Sequence, residues 1–217
     1  TGIWLITGHG DLYYNGDSFC GDGVESGETF GELLSDKYNL EINHAWKGGS
    51  SNDRIYRTTV NHIMNNKSDL QDTLFIIGWT KPTRFELYCN IRGDYIQYGH
   101  QNFYNLAPNV EGFEYEISID FQKEYISKFI DVDNMLKEHI RRVYSLESIL
   151  KTNNCKFLFW NVFKDIGSDS FDEYLKQFEH SKVRQSPDDD HPNKLGHQKW
   201  FEVISSIIDK KNYFTDA

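Results

Sequence analysis

The chain has 217 residues and a formal net charge of −10, and 38% of its residues are hydrophobic and 15% aromatic. This composition is typical of a folded globular protein and excludes a disordered or collagen-like chain. The negative charge disfavours nucleic acid as a partner, and no apolar run approaches the ~18 residues of a membrane-spanning helix. Three widely spaced cysteines and no recognisable signal peptide predict a cytoplasmic protein with reduced thiols.

The first half of the chain alternates between predicted strands and helices. Short apolar runs predict strands over residues 12–14, 40–42 and 74–77. Apolar residues at helical spacing predict helices over residues 28–38 and 55–64, the second with Asn52 or Asp53 as its N-cap. Residues 1–11 are expected either to form an additional strand or to be a segment that does not belong to the natural protein.

The second half continues the alternation after a long polar and aromatic stretch. We predict helices over residues 132–150, 171–178 and 195–208, and a buried strand over residues 155–162. Residues 87–120 are expected to form an insertion near the active-site cleft, either as a functional loop or as a segment that contains a hairpin. The alternation predicts a three-layer α/β/α sandwich with a central parallel sheet, as a single domain over residues 1–217.

Small and polar residues follow each predicted strand, where α/β sheets place their sites. Gly16-Asp17-Ser18 follows the first strand, and Asp188 precedes His191 by three residues near the C-terminus. A serine hydroxyl needs a base to take its proton, and a histidine base needs a partner on its other ring nitrogen. This pattern predicts Ser18 as nucleophile, His191 as base and Asp188 as the group that orients it.

Each of these segments also has a simpler interpretation. Gly16-Asp17-Ser18 favours a turn, in which Asp17 bonds to backbone amides, and Cys20 is expected to be a packing residue. The acidic run over residues 188–190 could be a solvated loop, or it could bind a metal ion with His191 and His197. We expect no metal and no other cofactor.

These segments resemble the blocks of the SGNH (GDSL-type) hydrolase superfamily, in the same order and over residues 12–205. The resemblance rests on Gly16-Asp17-Ser18, on Asn43 with Gly48 five residues later, and on Asp188-x-x-His191-Pro192. It implies a flavodoxin-like fold and an oxyanion hole formed by the amides of Ser18 and Gly48. The third block departs from the family, because Thr80 stands where the family has an asparagine whose side chain donates to the oxyanion.

The resemblance implies a serine hydrolase that acts on acyl esters, such as an esterase or a carbohydrate deacetylase. Thr80 is expected to supply its hydroxyl as the third oxyanion donor. Arg84 and Glu86 are expected to bind substrate, although Arg84 could instead form an ion pair with Glu86 or another acid. Two alternatives are a weakly active or inactive ligand-binding domain, which the Thr80 substitution favours, and a metal-dependent phosphoesterase.

Overall fold

The computed structural model describes residues 10–68, 70–90, 93–98, 124–125, 127–163, 174–186 and 189–213. The strands are β1 (Asp11–Asn15), β2 (Glu41–His44), β3 (Thr73–Trp79), β4 (Phe85–Cys89), β5 (Asp94–Tyr98), β6 (Lys156–Asn161), β7 (Arg184–Ser186) and β8 (Asp189–Pro192). The helices are α1 (Phe30–Tyr38), α2 (Asn52–Asn65), α3 (Val132–Thr152), α4 (His180–Val183) and α5 (Lys194–Lys210), and a 3-10 turn covers Ser18–Cys20. No helix in this part of the chain is long and apolar enough to cross a membrane.

A parallel sheet of four strands, in the order β2-β1-β3-β6, forms the centre of the fold. The side chains of each strand point alternately to the two faces of this sheet. Leu12, Leu74 and Leu158 pack with α1 and α5 on one face. Tyr13, Phe75 and Phe159 pack with α2 and α3 on the other. The predicted three-layer α/β/α sandwich is therefore confirmed.

Capping side chains set where the helices begin. The α1 helix begins at Phe30 rather than at residue 28, because Thr29 and Glu32 form a reciprocal capping box. The cap of α2 is Ser51, whose hydroxyl accepts from the Arg54 amide, and not Asn52 or Asp53 as predicted. Asn193 caps α5, and its side-chain oxygen accepts from the Gly196 amide.

The aromatic stretch that follows β3 begins with an antiparallel hairpin of β4 and β5. Its buried side chains, Phe85 and Ile96 among them, form a small cluster with Met135 of α3. Tyr88 and Tyr95 lie on the exposed side and contact each other edge to face. The rest of the predicted insertion, residues 99–120, lies outside the described residues, as do residues 1–9 and the first three residues of the predicted helix over residues 171–178.

Candidate active site

The candidate site lies at the carboxyl end of the sheet, between β1 and β3. The chain leaves β1 toward β2 on one side and later returns to β3 on the other, so strand order reverses between these two strands. Crevices at such reversal points are where open α/β sheets bind ligands. Ser18 follows β1, Thr80 follows β3, and His191 comes from β8 near the C-terminus.

Asp17 shapes the turn that carries Ser18. Its carboxylate oxygen Oδ1 accepts from the Phe19 amide at 3.1 Å and caps the 3-10 turn, as predicted for Asp17. The Ser18 carbonyl then accepts from the amides of Gly21 and Asp22. Gly16 is required just before the turn, because a Cβ there would lie 2.4 Å from the Cys20 sulfur. The result is a serine held at a sharp bend directly above the sheet.

His191 bridges Ser18 and an acidic residue. Its Nε2 lies 2.7 Å from the Ser18 Oγ, and its Nδ1 lies 2.5 Å from the Asp189 Oδ1. The same Asp189 oxygen accepts from the His191 amide at 2.9 Å. These hydrogen bonds from the His191 amide and ring lower the pKa of the Asp189 carboxyl. The three side chains thus form a continuous hydrogen-bonded chain from carboxylate to hydroxyl.

The acidic partner in this chain is Asp189, whereas the sequence predicted Asp188, which lies outside the described residues. His191 belongs to the short strand β8, which pairs with β7. Residues two apart in a strand share a face, so Asp189 and His191 point the same way. The strand geometry is the signal that the sequence interpretation missed.

The predicted oxyanion amides lie on adjacent loops. The Lys47 amide donates to the Gly16 carbonyl, which ties the loop of Gly48 to the nucleophile turn. Gly48 is exposed in a tight turn that the neighbouring Gly49 closes with a φ of +72°. Within the described part of the chain, the Ser18 and Gly48 amides donate to no acceptor. Both are therefore available to a ligand.

The structure contradicts the predicted role of Thr80 as an oxyanion donor. The Thr80 hydroxyl donates its one proton to the Asp17 Oδ2 at 2.7 Å, and both residues are buried. The Thr80 backbone is fixed as well, because the Asn52 side chain pairs with its amide and its carbonyl. Thr80 therefore supports the nucleophile turn through Asp17.

Arg84 and Glu86, predicted to bind substrate, are both engaged in ion pairs. The Arg84 guanidinium donates to the Asp17 Oδ2 at 2.8 Å. Glu86 binds Arg57 through both carboxylate oxygens, at 2.7 and 2.9 Å, and also accepts from Gln97. Glu86 therefore joins α2 to the hairpin of β4 and β5. Arg84 stabilises the turn that carries Ser18, through its ion pair with Asp17.

Asp22 is a further acidic residue of the site that the sequence interpretation did not single out. It directly follows the nucleophile turn, and its half-buried carboxyl interacts electrostatically with His191, Asp17 and Asp189. Burial is the largest influence and raises the pKa of this carboxyl. No sequence motif marks this residue.

Aromatic rings line the site beside the histidine. The Phe19 ring lies 5.1 Å from the rings of both His191 and Phe163. The Lys81 ammonium lies 4.7 Å from the centre of the Phe163 ring. Phe19 itself is buried, so the partly buried Phe163 ring is the one that leaves apolar surface on this side of the site.

The residues considered for a metal site do not come together. His197 is buried in α5, where its Nδ1 accepts from the Phe30 amide at 3.4 Å and burial lowers its pKa to about 4. Among the described residues, no group of three or more histidine, cysteine or acidic side chains is arranged to hold a metal ion. The three cysteines are free and buried, as expected of Cys20 in particular.

Comparison with known proteins gives one family and several distant structures. A model of a family of unknown function, DUF6071, matches residues 23–186. The fold is similar to that of the psychrotrophic esterase EstA from Pseudoalteromonas sp., with 12% identity, a TM-score of 0.49, and coverage of 92% of this chain and 99% of that chain.

Two other solved structures show similar relationships. A lipolytic protein of the G-D-S-L family from Veillonella parvula has 13% identity and a TM-score of 0.45, covering 92% of this chain and 98% of that one. A catalytic mutant of the acetylxylan esterase Axe2 from Geobacillus stearothermophilus has 12% identity and a TM-score of 0.39, covering 95% of each chain. No curated protein matches the sequence.

Proposed function

The chain belongs to the family of unknown function DUF6071, and we propose from its site alone that it is a serine hydrolase of the SGNH type that cleaves acyl esters. The observation that carries the proposal is the hydrogen-bonded chain from Asp189 through His191 to Ser18, with distances of 2.5 and 2.7 Å. A base within hydrogen-bond reach of a hydroxyl, itself oriented by a third group, is the arrangement that activates a serine.

In the proposed reaction, the Ser18 Oγ attacks the ester carbonyl carbon while His191 Nε2 takes the hydroxyl proton. The Asp189 carboxylate stabilises the imidazolium that results. His191 then gives the proton to the departing alcohol, which leaves an acyl group on Ser18. A water molecule, deprotonated by the same histidine, releases the acid and restores the serine.

The amides of Ser18 and Gly48 supply the two donors for the oxyanion. Donors fixed in place before the reaction stabilise the developing charge without reorganisation. The proposal includes no third donor from Thr80, because that hydroxyl is already bonded to Asp17. It includes no cofactor.

The proposed substrate is a small acyl ester, such as an acetyl ester of a carbohydrate. The Phe163 ring, which is partly buried and lies 5.1 Å from the buried Phe19 ring, offers an apolar surface on which a sugar or a short acyl chain can pack.

Labelling with a fluorophosphonate tests the proposal, because the reagent reacts only with an activated serine. We expect one adduct on Ser18 in the unaltered protein and none in Ser18→Ala. His191→Ala should label at least a hundredfold more slowly, whereas Ser26→Ala, which alters an exposed serine, should label normally. A folded protein that carries no adduct would overturn the proposal.

A second candidate is a ligand-binding domain with little activity, and one observation favours it. With the Thr80 hydroxyl bonded to Asp17, the oxyanion receives two backbone donors and no side-chain donor. Loss of one such donor typically slows an enzyme about a hundredfold. Ligand binding without turnover, in a protein that the probe does not label, would support this alternative.

A further inference from the structure

Among the described residues, Asp22 is a carboxylate near Ser18 that has no part in the proposed reaction. Its backbone is fixed, because its amide donates to the Ser18 carbonyl at 2.9 Å and its carbonyl accepts from the Gln185 side chain at 2.7 Å. Its side chain is different: within the described part of the chain, the Asp22 carboxylate accepts no hydrogen bond and forms no ion pair.

The other two acidic residues of the site are fully occupied. Asp17 accepts from Thr80, Arg84 and the Phe19 amide, and Asp189 accepts twice from His191. A half-buried carboxylate without a donor is unfavourable in the folded protein, since buried polar groups are normally hydrogen-bonded. The Asp22 carboxylate therefore has no hydrogen-bond donor in the described fold, and it is available to a ligand.

The Asp22 carboxylate also lies where it can contact a bound ester. A Cβ placed on Gly48 would be 2.7 Å from the Asp22 Oδ2, so the carboxylate packs directly against one of the two proposed oxyanion residues. It also lies close enough to His191 for their charges to interact. A group attached to an ester that is held at Ser18 would therefore pass beside Asp22.

A bare carboxylate at this position opposes the reaction, because it repels the negative charge that develops on the oxyanion. A substrate hydroxyl that donates to Asp22 removes part of this repulsion and supplies the missing hydrogen bond. The two oxygens of a carboxylate can accept from two neighbouring hydroxyls at once. A plain alkyl ester offers no such donor and meets the repulsion in full.

We propose that Asp22 is a specificity-determining residue that accepts hydrogen bonds from hydroxyl groups beside the scissile ester, and so selects esters of polyols and sugars over alkyl esters. The proposal rests on the proposed function, because it requires an ester bound at Ser18. It goes beyond that function by assigning the preference for the alcohol part of the substrate to one side chain.

Two acetate esters with the same three-carbon alcohol test it. Glycerol 1-acetate carries two hydroxyls that n-propyl acetate lacks, and both present the same acyl group. We expect the unaltered protein to prefer glycerol 1-acetate in kcat/KM by tenfold or more. In Asp22→Asn, kcat/KM should fall about tenfold for glycerol 1-acetate and should be unchanged or higher for n-propyl acetate.

Opposite responses of the two substrates would separate a specificity residue from a merely structural one. Equal losses for both esters, or no preference in the unaltered protein, would overturn the proposal. Asp22→Ala, which removes both acceptor oxygens, should reduce the preference at least as much as Asp22→Asn. A melting temperature at or above that of the unaltered protein would show that each variant is folded.

Failure of this inference can be distinguished from failure of the proposed function. Labelling of Ser18 and hydrolysis of n-propyl acetate without discrimination would overturn the role of Asp22 alone. Absence of both labelling and hydrolysis would overturn the proposed function and this inference with it. An enzyme that prefers acetylcholine to its uncharged isostere 3,3-dimethylbutyl acetate through Asp22 would show that the carboxylate selects a cation instead.

Discussion

Replacing Thr80 by valine should destabilise the protein far more than it slows the reaction. Valine keeps the branched shape of threonine, so the substitution removes the hydroxyl and creates no cavity. The lost hydrogen bond is donated to the Asp17 carboxylate at 2.7 Å, with Thr80 3% exposed and Asp17 fully buried. Hydrogen bonds to charged groups contribute roughly 1.5–3 kcal/mol, so we expect a loss of about 2 kcal/mol in the free energy of unfolding.

A loss of this size is measurable. For a chain of 150–250 residues, each kcal/mol corresponds to about 2–4 °C in melting temperature, so Thr80→Val should melt about 4–8 °C lower. The value of kcat on an activated ester should fall less than tenfold, because Asp17 still accepts from Arg84 and from the Phe19 amide.

Two further variants serve as controls. Thr80→Ser keeps the hydroxyl and should recover most of the lost stability. Thr83→Val makes the same chemical change in the same loop, where the hydroxyl has no hydrogen-bond partner among the described residues, and should change the melting temperature little. A hundredfold loss of kcat in Thr80→Val at unchanged stability would refute the reasoning and restore Thr80 as an oxyanion donor.

Two other predictions concern the site and a buried histidine of α3. Asp189→Asn should lower kcat at least a hundredfold, because Asp189 orients His191, whereas Asp190→Asn should remain within threefold of the unaltered enzyme; equal losses would contradict the assignment. Burial lowers the pKa of His139 to about 4, so between about pH 6.5 and 4 the unfolded chain binds a proton that the native state does not, and stability is lost as pH falls. His139→Phe removes this loss, so it should raise the free energy of unfolding, measured in urea, more at pH 5 than at pH 8. An equal gain at both pH values would contradict this reasoning.

The fold could be predicted from the sequence because its central strands are apolar on both faces. Residues 74–77 form a continuous apolar run, as a strand covered by helices on both sides requires, and all of β3 is buried. The helix starts were less predictable. Ser51, Asn52 and Asp53 are all good N-caps, and only the three-dimensional path of the chain decides that Ser51 takes the position.

The sequence identified several residues around Ser18 but not all of the pairs they form. Ser18 and His191 belong to short motifs, so the sequence could predict that they act together, and their side chains lie 2.7 Å apart. The partner of His191 depends on whether residues 189–192 form a loop or a strand, and an acidic run offers a candidate for either case. The partners of Asp17 come from positions more than 60 residues away, so no local spacing could reveal them.

These distant partners explain how the turn that carries Ser18 is held in place. Asp17 caps the turn at Phe19, and two side chains that follow β3 converge on its other oxygen. Thr80 contributes a neutral donor and Arg84 a charged one, so the buried carboxylate is both hydrogen-bonded and neutralised. The segment after β3 thus positions Ser18 indirectly, through its hydrogen bonds to Asp17, and does not donate to the proposed oxyanion.

Arg84→Lys tests this indirect role of the segment. Lysine keeps the positive charge, but its ammonium cannot reproduce the planar, fixed geometry with which the guanidinium donates to Asp17 at 2.8 Å. We expect kcat to fall about threefold to tenfold with KM unchanged, together with a lower melting temperature. Arg84→Ala should be worse, because it leaves the buried Asp17 carboxylate without its cation, a change that typically costs 3–5 kcal/mol. If Arg84→Lys instead raised KM for an anionic ester alone, at unchanged kcat and melting temperature, Arg84 would contact substrate and the positioning role would be refuted.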